Sequence, residues 1–120
     1  MVGIGPFIPH VDTPFRDRPK GSVKDTLRLL SIIRLIHPAA LLPATTALGT
    51  AKCGGREMGI LCGANVIMPN LSPVSVRKKY MLYNDKLVTD EEAAENLDML
   101  KKSMEKIGYF ITANRGDFKK

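Results

Sequence analysis

The stretch LLPATTALGT, Leu41–Thr50, decides how the rest of this sequence can fold. A short apolar run passes through a Pro-Ala step into two adjacent hydroxyl side chains, Thr45 and Thr46, and then into a glycine turn. This pattern predicts a buried strand whose carboxyl end delivers two small hydrogen-bonding groups into a loop. Two further stretches, Met1–His10 and Ala64–Asn70, also end an apolar run with Pro and a polar residue. Three such strand ends predict one shared ligand-binding edge of a parallel sheet.

The composition is typical of one modest globular domain and excludes several other classes of protein. The chain has 120 residues, of which 44% are hydrophobic and 25% are charged, as in ordinary globular domains. It contains neither a run of eighteen apolar residues nor a basic segment before an apolar core, so we predict no membrane span and no secretory signal. Cys53 and Cys62 form neither a C-x-x-C pair nor a disulfide framework, which favours a reduced, cytoplasmic location.

The net charge of +6 raises the question of a nucleic-acid partner. The Lys and Arg residues are scattered along the chain, and there is no Trp. The few aromatic residues do not interleave with the basic ones as they would in a base-stacking platform. The charge therefore predicts a solvated surface and no nucleic-acid partner.

Hydrophobic periodicity predicts alternating strands and helices along the chain. The predicted elements, in order, are a strand at Met1–Ile8, a polar loop at Val11–Gly21, a helix at Ser22–His37, a strand at Leu41–Ala44, a helix at Arg56–Cys62, a strand at Ala64–Met68, a helix from Ser72 to about Tyr83, a helix at Asp90–Ile107 and a short strand at Tyr109–Thr112. The helix at Ser22–His37 has the clearest signals, because Ser22 and Asp25 form a capping pattern and Pro38 ends the helix.

This order of elements predicts an α/β fold with about three parallel strands. Three parallel strands with two open edges make a poor independent domain. A (β/α)8 barrel needs about 250 residues, so the chain is expected to be the C-terminal part of a larger TIM-type barrel. Residues 1–86 would supply barrel strands and helices, and residues 87–120 a C-terminal helix and tail.

Four segments of the sequence, taken together with their order and spacing, resemble the C-terminal third of proteins of the HydE family. They are GIGPFIPHVDTP (Gly3–Pro14), PATTALGT (Pro43–Thr50), GREMGILCGANVIMPN (Gly55–Asn70) and RKKYMLYNDK (Arg77–Lys86). HydE proteins are radical S-adenosylmethionine (SAM) maturases of the iron–iron hydrogenases, in the wider group of biotin synthase and methylornithine synthase. The resemblance covers about Met1 to Lys86.

The resemblance implies a radical SAM barrel whose cofactors are S-adenosylmethionine and a 4Fe–4S cluster. In such barrels a C-x-x-x-C-x-x-C motif holds the cluster. That motif is absent here, and two cysteines are too few to replace it. The chain is therefore expected to be a fragment with no catalytic residue and no metal ligand, inactive until it joins the missing N-terminal barrel segment.

By the same resemblance, the segment Gly3–His10 matches the sixth barrel strand, whose end lies near the adenosyl group of the cofactor. The residues expected near S-adenosylmethionine are Gly5, Pro6, Phe7, Ile8 and His10. Ordinary strand packing is the alternative role for the segment. For His10 the alternative is a hydrogen bond within its own loop.

The resemblance also implies a substrate cavity lined by Thr45 and Thr46 from strand seven, Met68 from strand eight, and Tyr80 and Tyr83 from the helix that follows. Two hydroxyls can bind a carboxylate without adding a positive charge to the cavity. The alternatives are a Thr pair that satisfies its own turn and a Met that only fills the core. The adjacent Arg56 and Glu57 are predicted to form an ion pair or to cap a nearby helix end.

The parent enzyme implied by the resemblance acts on a small molecule, a cysteine-containing iron carbonyl–cyanide synthon, in assembly of the diiron subcluster of the hydrogenase. Other hydrogenase maturases are its expected partners. A methylornithine synthase-like or biotin synthase-like enzyme is the alternative, although biotin synthase places an Arg-bearing segment where this chain has Ala44–Thr46. A small α/β binding module without catalysis is the alternative from another class.

Overall fold

The structure is a computed structural model that describes residues 1–69, 72–77 and 93–113. Its elements are α1 (Val23–Ile36), β1 (Pro43–Ala44), α2 (Thr46–Ala51), α3 (Gly55–Leu61), β2 (Val66–Ile67), α4 (Val74–Arg77) and α5 (Ala93–Lys106). Mixed helix and strand with a small parallel sheet confirms the α/β class. No helix in the described part of the chain is both long and apolar enough to cross a membrane.

Helix α1 forms where the capping pattern and the apolar periodicity predict it. The Ser22 hydroxyl accepts a hydrogen bond from the Asp25 amide at 3.1 Å, which satisfies a free donor of the first turn. Leu27 and Leu30 face the core. The helix ends at Ile36, just before the residue that precedes Pro38. The predicted helix is therefore confirmed, one residue shorter at each end.

The sheet consists of two parallel strands in the described residues, with Pro43 opposite Val66 and Ala44 opposite Ile67. The Leu42 carbonyl accepts hydrogen bonds from the amides of Asn65 and Val66. Both strands lie inside their predicted ranges but span only two residues each. Strand β1 stays short because Pro43 lacks an N–H and because Thr45, the residue after the strand, already caps α2.

Two predicted strands are wrong. At Met1–Ile8 the Val2 amide donates to the Leu41 carbonyl at 2.8 Å, but no ladder follows. Pro6 cannot donate, and the next carbonyl, that of Phe7, accepts from the amide of Gly21. At Tyr109–Thr112 the chain forms no strand, and the Tyr109 amide donates a hydrogen bond to the Met104 carbonyl at the end of the preceding helix.

Helix α2 is the element that the sequence did not predict. It begins directly after Thr45 and includes Gly49, which we expected in a turn. Its Leu48 side chain is fully buried. Helix α3 follows one residue earlier than predicted, and Gly63 closes it with a φ of +113°, a conformation that favours glycine.

The core lies where α1, α3 and the two strands meet. Its buried apolar side chains are Leu27, Leu30, Leu42, Ala44, Leu48, Ile60, Ala64 and Met104. Met104 of α5 is only 1% exposed, and the neighbouring Ser103 hydroxyl hydrogen-bonds the Glu57 carboxylate of α3. The predicted helix at Asp90–Ile107 is confirmed from Ala93 onward, while residues 90–92 lie outside the described part.

The predicted helix from Ser72 to about Tyr83 is confirmed over Val74–Arg77, and its remainder lies outside the described residues. The described residues contain one sheet of two strands, so the (β/α)8 barrel expected from the resemblance remains a prediction. The domain division at residue 86 also falls outside the described part and remains a prediction.

Helix α1 carries a second apolar stripe that faces solvent, formed by Leu29, Ile32, Leu35 and Ile36. Exposed stripes of this kind favour association. We therefore expect the isolated 120-residue chain to bind the dye ANS and to elute as oligomers in size-exclusion chromatography. A sharply melting monomer that binds no ANS would contradict this expectation and favour a self-sufficient binding module.

Candidate functional site

The candidate site lies at the carboxyl edge of the two-stranded sheet. Because Ala44 pairs with Ile67, the residues that follow them, Thr45 and Met68, leave the sheet side by side. The Met68 side chain is 51% exposed, so it does not fill the core of the described fold. The parallel register thus brings together two of the five residues predicted for the substrate cavity.

The segment predicted to lie near the cofactor adjoins this edge through Gly5. A Cβ atom added to Gly5 would lie 2.8 Å from the Thr45 hydroxyl oxygen. Only a glycine permits this approach without moving the Thr45 side chain. The Gly5 backbone is exposed, so the structure places a solvent-accessible stretch of backbone beside the Thr45 hydroxyl.

The other residues of this segment differ in their surroundings. Pro6 and Ile8 are buried, whereas Phe7 is half-exposed and packs edge-on against Phe15 with ring centroids 6.4 Å apart. The half-buried His10 accepts a hydrogen bond at Nδ1 from the Asp12 amide at 3.1 Å. His10 therefore makes the local loop contact that was its alternative role, and its expected cofactor contact remains a prediction.

The Thr45 hydroxyl caps α2 by accepting a hydrogen bond from the Leu48 amide at 3.3 Å. This contact matches the alternative interpretation, in which the Thr pair satisfies its own turn. It occupies one lone pair and leaves the hydroxyl proton in place. Within the described residues that proton has no hydrogen-bond acceptor.

The Thr46 hydroxyl accepts a hydrogen bond from Nη2 of Arg56 at 3.3 Å. The sequence predicted local pairing for Arg56 and Glu57. In the structure Arg56 reaches across to Thr46, and the Glu57 carboxylate accepts from Ser103. As at Thr45, one lone pair is used and the Thr46 proton finds no acceptor among the described residues.

The two hydroxyls therefore share one chemical property. Each accepts one hydrogen bond from the protein, so each is left with an O–H group to donate. A carboxylate accepts hydrogen bonds and cannot donate them. Two hydroxyl donors on the consecutive residues that follow β1 therefore match the hydrogen-bonding character of such a group.

Tyr80 and Tyr83, the other residues predicted for the cavity, lie outside the described residues. A cavity of about 550 Å³ is lined by residues that include Leu41, Asn65 and Met104. This cavity contains none of the predicted site residues.

The residues present do not fit an iron–sulfur cluster. Cys53 is exposed and Cys62 is partly buried, and both are free thiols. The described part of the chain contains no group of three His, Cys, Asp or Glu side chains that could hold a metal. The cluster ligands of a radical SAM enzyme would have to come from outside this chain.

The sequence interpretation missed the contact between Arg56 and Thr46. One local signal was available, because a cation in the first turn of a helix opposes the helix dipole. Arg56 is the second residue of α3, where an acidic residue would be favoured. An unfavourably placed cation indicates a partner elsewhere in the fold.

Comparison with known proteins identifies one informative relative. The chain is 45% identical over 108 residues to the [FeFe] hydrogenase maturase subunit HydE of Thermotoga maritima. The aligned region is 90% of this chain and 31% of that protein, so the chain spans about a third of the relative's length. No model of a protein family matches the chain. The resemblance to HydE found in the sequence is confirmed.

Proposed function

We propose that this chain is the C-terminal part of a HydE-type maturase of iron–iron hydrogenases. The observation that carries the proposal is 45% identity over 108 residues to a HydE protein. The parent would be a cytoplasmic radical SAM enzyme with a (β/α)8 barrel, acting on a small molecule in assembly of the diiron subcluster. Its S-adenosylmethionine and 4Fe–4S cluster would be held largely by a segment outside this chain.

Within that parent, the chain's role is to bind and orient the substrate. Thr45 and Thr46 offer two hydroxyl donors at the strand edge, suited to a carboxylate on the substrate. Gly5 brings an exposed backbone segment beside Thr45, where the cofactor's adenosyl group is expected. Met68 offers an apolar surface at the same edge.

A chimera tests this proposal directly. The region of Thermotoga maritima HydE that aligns with these 108 residues is replaced by this chain's sequence. Because the strand ends and packing contacts are proposed to be equivalent, the chimera should fold, bind a 4Fe–4S cluster and mature an iron–iron hydrogenase. The measurement is hydrogen evolution by hydrogenase co-expressed with the chimera and the other maturases.

A matched control chimera carries the corresponding segment of a biotin synthase. It should bind its cluster and fail to mature the hydrogenase, because its strand ends present a different substrate site. If the first chimera binds its cluster and still gives no active hydrogenase, the proposed function is wrong for this chain.

The isolated chain should not form a 4Fe–4S cluster on reconstitution with iron and sulfide under anaerobic conditions. The physical reason is that its two cysteines cannot supply the three thiolates of the radical SAM motif. The measurement is the visible absorption of the purified chain together with its iron and sulfide content. Stoichiometric 4Fe–4S absorption would show that the chain holds a cluster site of its own.

A further inference from the structure

We propose that Arg56 is a positioning residue that makes the strand-edge site selective for a carboxylate, acting through the Thr46 hydroxyl. The inference rests on the proposed function and extends it, because it assigns the anion preference to a residue that does not touch the substrate. Arg56 belongs to α3, whereas Thr46 opens α2.

The contact fixes the direction in which the Thr46 hydroxyl can hydrogen-bond. A guanidinium has only donors, so Nη2 must donate and the Thr46 oxygen must accept. With that lone pair engaged by a cation, the hydroxyl proton points away from Arg56. Thr46 is thereby held as a hydrogen-bond donor toward an acceptor other than Arg56.

The positive charge also strengthens that donor. Hydrogen bonds polarise one another along a chain, and bonds that involve an ion are stronger than neutral ones. Here the series of hydrogen bonds would run from the Arg56 guanidinium to the Thr46 hydroxyl and on to a substrate carboxylate. It would begin with a cation and end on an anion, so each hydrogen bond would strengthen the other. A carboxamide in the same place would accept the hydrogen bond without this charge term, so the site should prefer the carboxylate.

The arrangement keeps the cation one hydroxyl away from the substrate. An Arg in direct contact would form a bidentate ion pair that holds its ligand tightly in one geometry. When Arg56 acts through Thr46, its positive charge favours the carboxylate, while the group that contacts the substrate is a neutral hydroxyl.

A double-mutant cycle in the full-length cluster-loaded protein tests the proposal. The probes are L-cysteine and L-cysteine amide, and the readout is the ratio of their dissociation constants. Arg56→Met should reduce the preference for the carboxylate about three- to tenfold, within the range of coupling between contacting residues. Thr46→Val should reduce it as well. In the Thr46→Val background, Arg56→Met should add nothing.

Two further variants separate charge, contact and folding. Arg56→Lys keeps the cation and should retain most of the preference, even if Arg56→Met folds poorly. Arg28→Met removes the same charge from α1, where Arg28 is exposed and contacts Asp25 at 3.2 Å, and should leave the ratio unchanged. A purely structural role for Arg56 would lower stability without moving the ratio.

The outcomes distinguish this inference from the proposed function. If the wild-type protein binds both probes equally, the proposed carboxylate site is wrong, and the proposed role of Arg56 is wrong as well. If Thr46→Val lowers the preference and Arg56→Met does not, the site stands and the role of Arg56 is wrong. Additive effects of the two substitutions would likewise overturn action through Thr46.

Discussion

In the full-length protein proposed above, Gly55→Ala should lower the free energy of unfolding by about 3 kcal/mol, at the upper end of the cost of overpacking a core. An added Cβ would collide with the Leu48 carbonyl oxygen and lie 2.8 Å from the Leu48 carbonyl carbon. These are backbone atoms of α2 and cannot rotate away as a side chain would. Helices α2 and α3 would have to separate, which would disturb both threonines.

The measurement is the midpoint of thermal unfolding, followed by circular dichroism. Gly3→Ala is the matched control, because no atom lies within 4 Å of the position that its Cβ would take. It makes the same chemical change and should leave the midpoint unaltered. Equal midpoints for the two variants would show that α2 and α3 do not pack as closely as the structure places them.

The same contact explains why α2 could not be predicted from the sequence. A helix of six residues that contains Gly49 is not stable through its own hydrogen bonds. It exists because Leu48 is buried and Gly55 lets α3 pack directly against its backbone. Both conditions depend on tertiary structure, which periodicity over ten residues does not report.

Elements that are determined by contacts between residues close in sequence were predicted correctly. The Ser22 cap and the apolar stripe of α1 are local, and so is the left-handed Gly63 that ends α3. The parallel pairing of β1 with β2 also follows from local order, since a helical connection joins them. The strand expected at Met1–Ile8 failed because prolines and a loop contact interrupt its ladder.

The residues of the candidate site also differ in how far their positions could be predicted from the sequence. Thr45 and Thr46 could be placed at the carboxyl end of β1 because they directly follow an apolar run, and strand ends are where parallel sheets bind ligands. Arg56 lies ten residues further along and meets Thr46 only because α2 and α3 pack together. Residues at a strand end can be predicted from their position in the sequence, whereas a contact between two helices, such as that of Arg56 with Thr46, depends on how the helices pack.

In the full-length maturase proposed above, replacing both Thr45 and Thr46 with Val should impair hydrogenase maturation severely. A hydrogen bond to a charged group is worth about 1.5–3 kcal/mol, so loss of one hydroxyl should weaken substrate handling roughly ten- to a hundredfold, and loss of both no less. Valine keeps the shape of threonine and removes only the hydroxyl. Serine at both positions keeps the hydroxyls and should be milder.

Thr45 also caps α2, so the double Val variant is expected to lose about 1 kcal/mol of stability as well. Ser22→Ala is the matched control for that loss, because it removes the equivalent cap from α1 and leaves both threonine hydroxyls in place. It should unfold earlier by a similar amount and still mature hydrogenase. The assay is hydrogen evolution by the matured enzyme, normalised to the cluster content of each variant. Normal maturation by a double Val variant with full cluster content would show that the two hydroxyls serve only the turn, and that the strand edge does not bind the substrate through them.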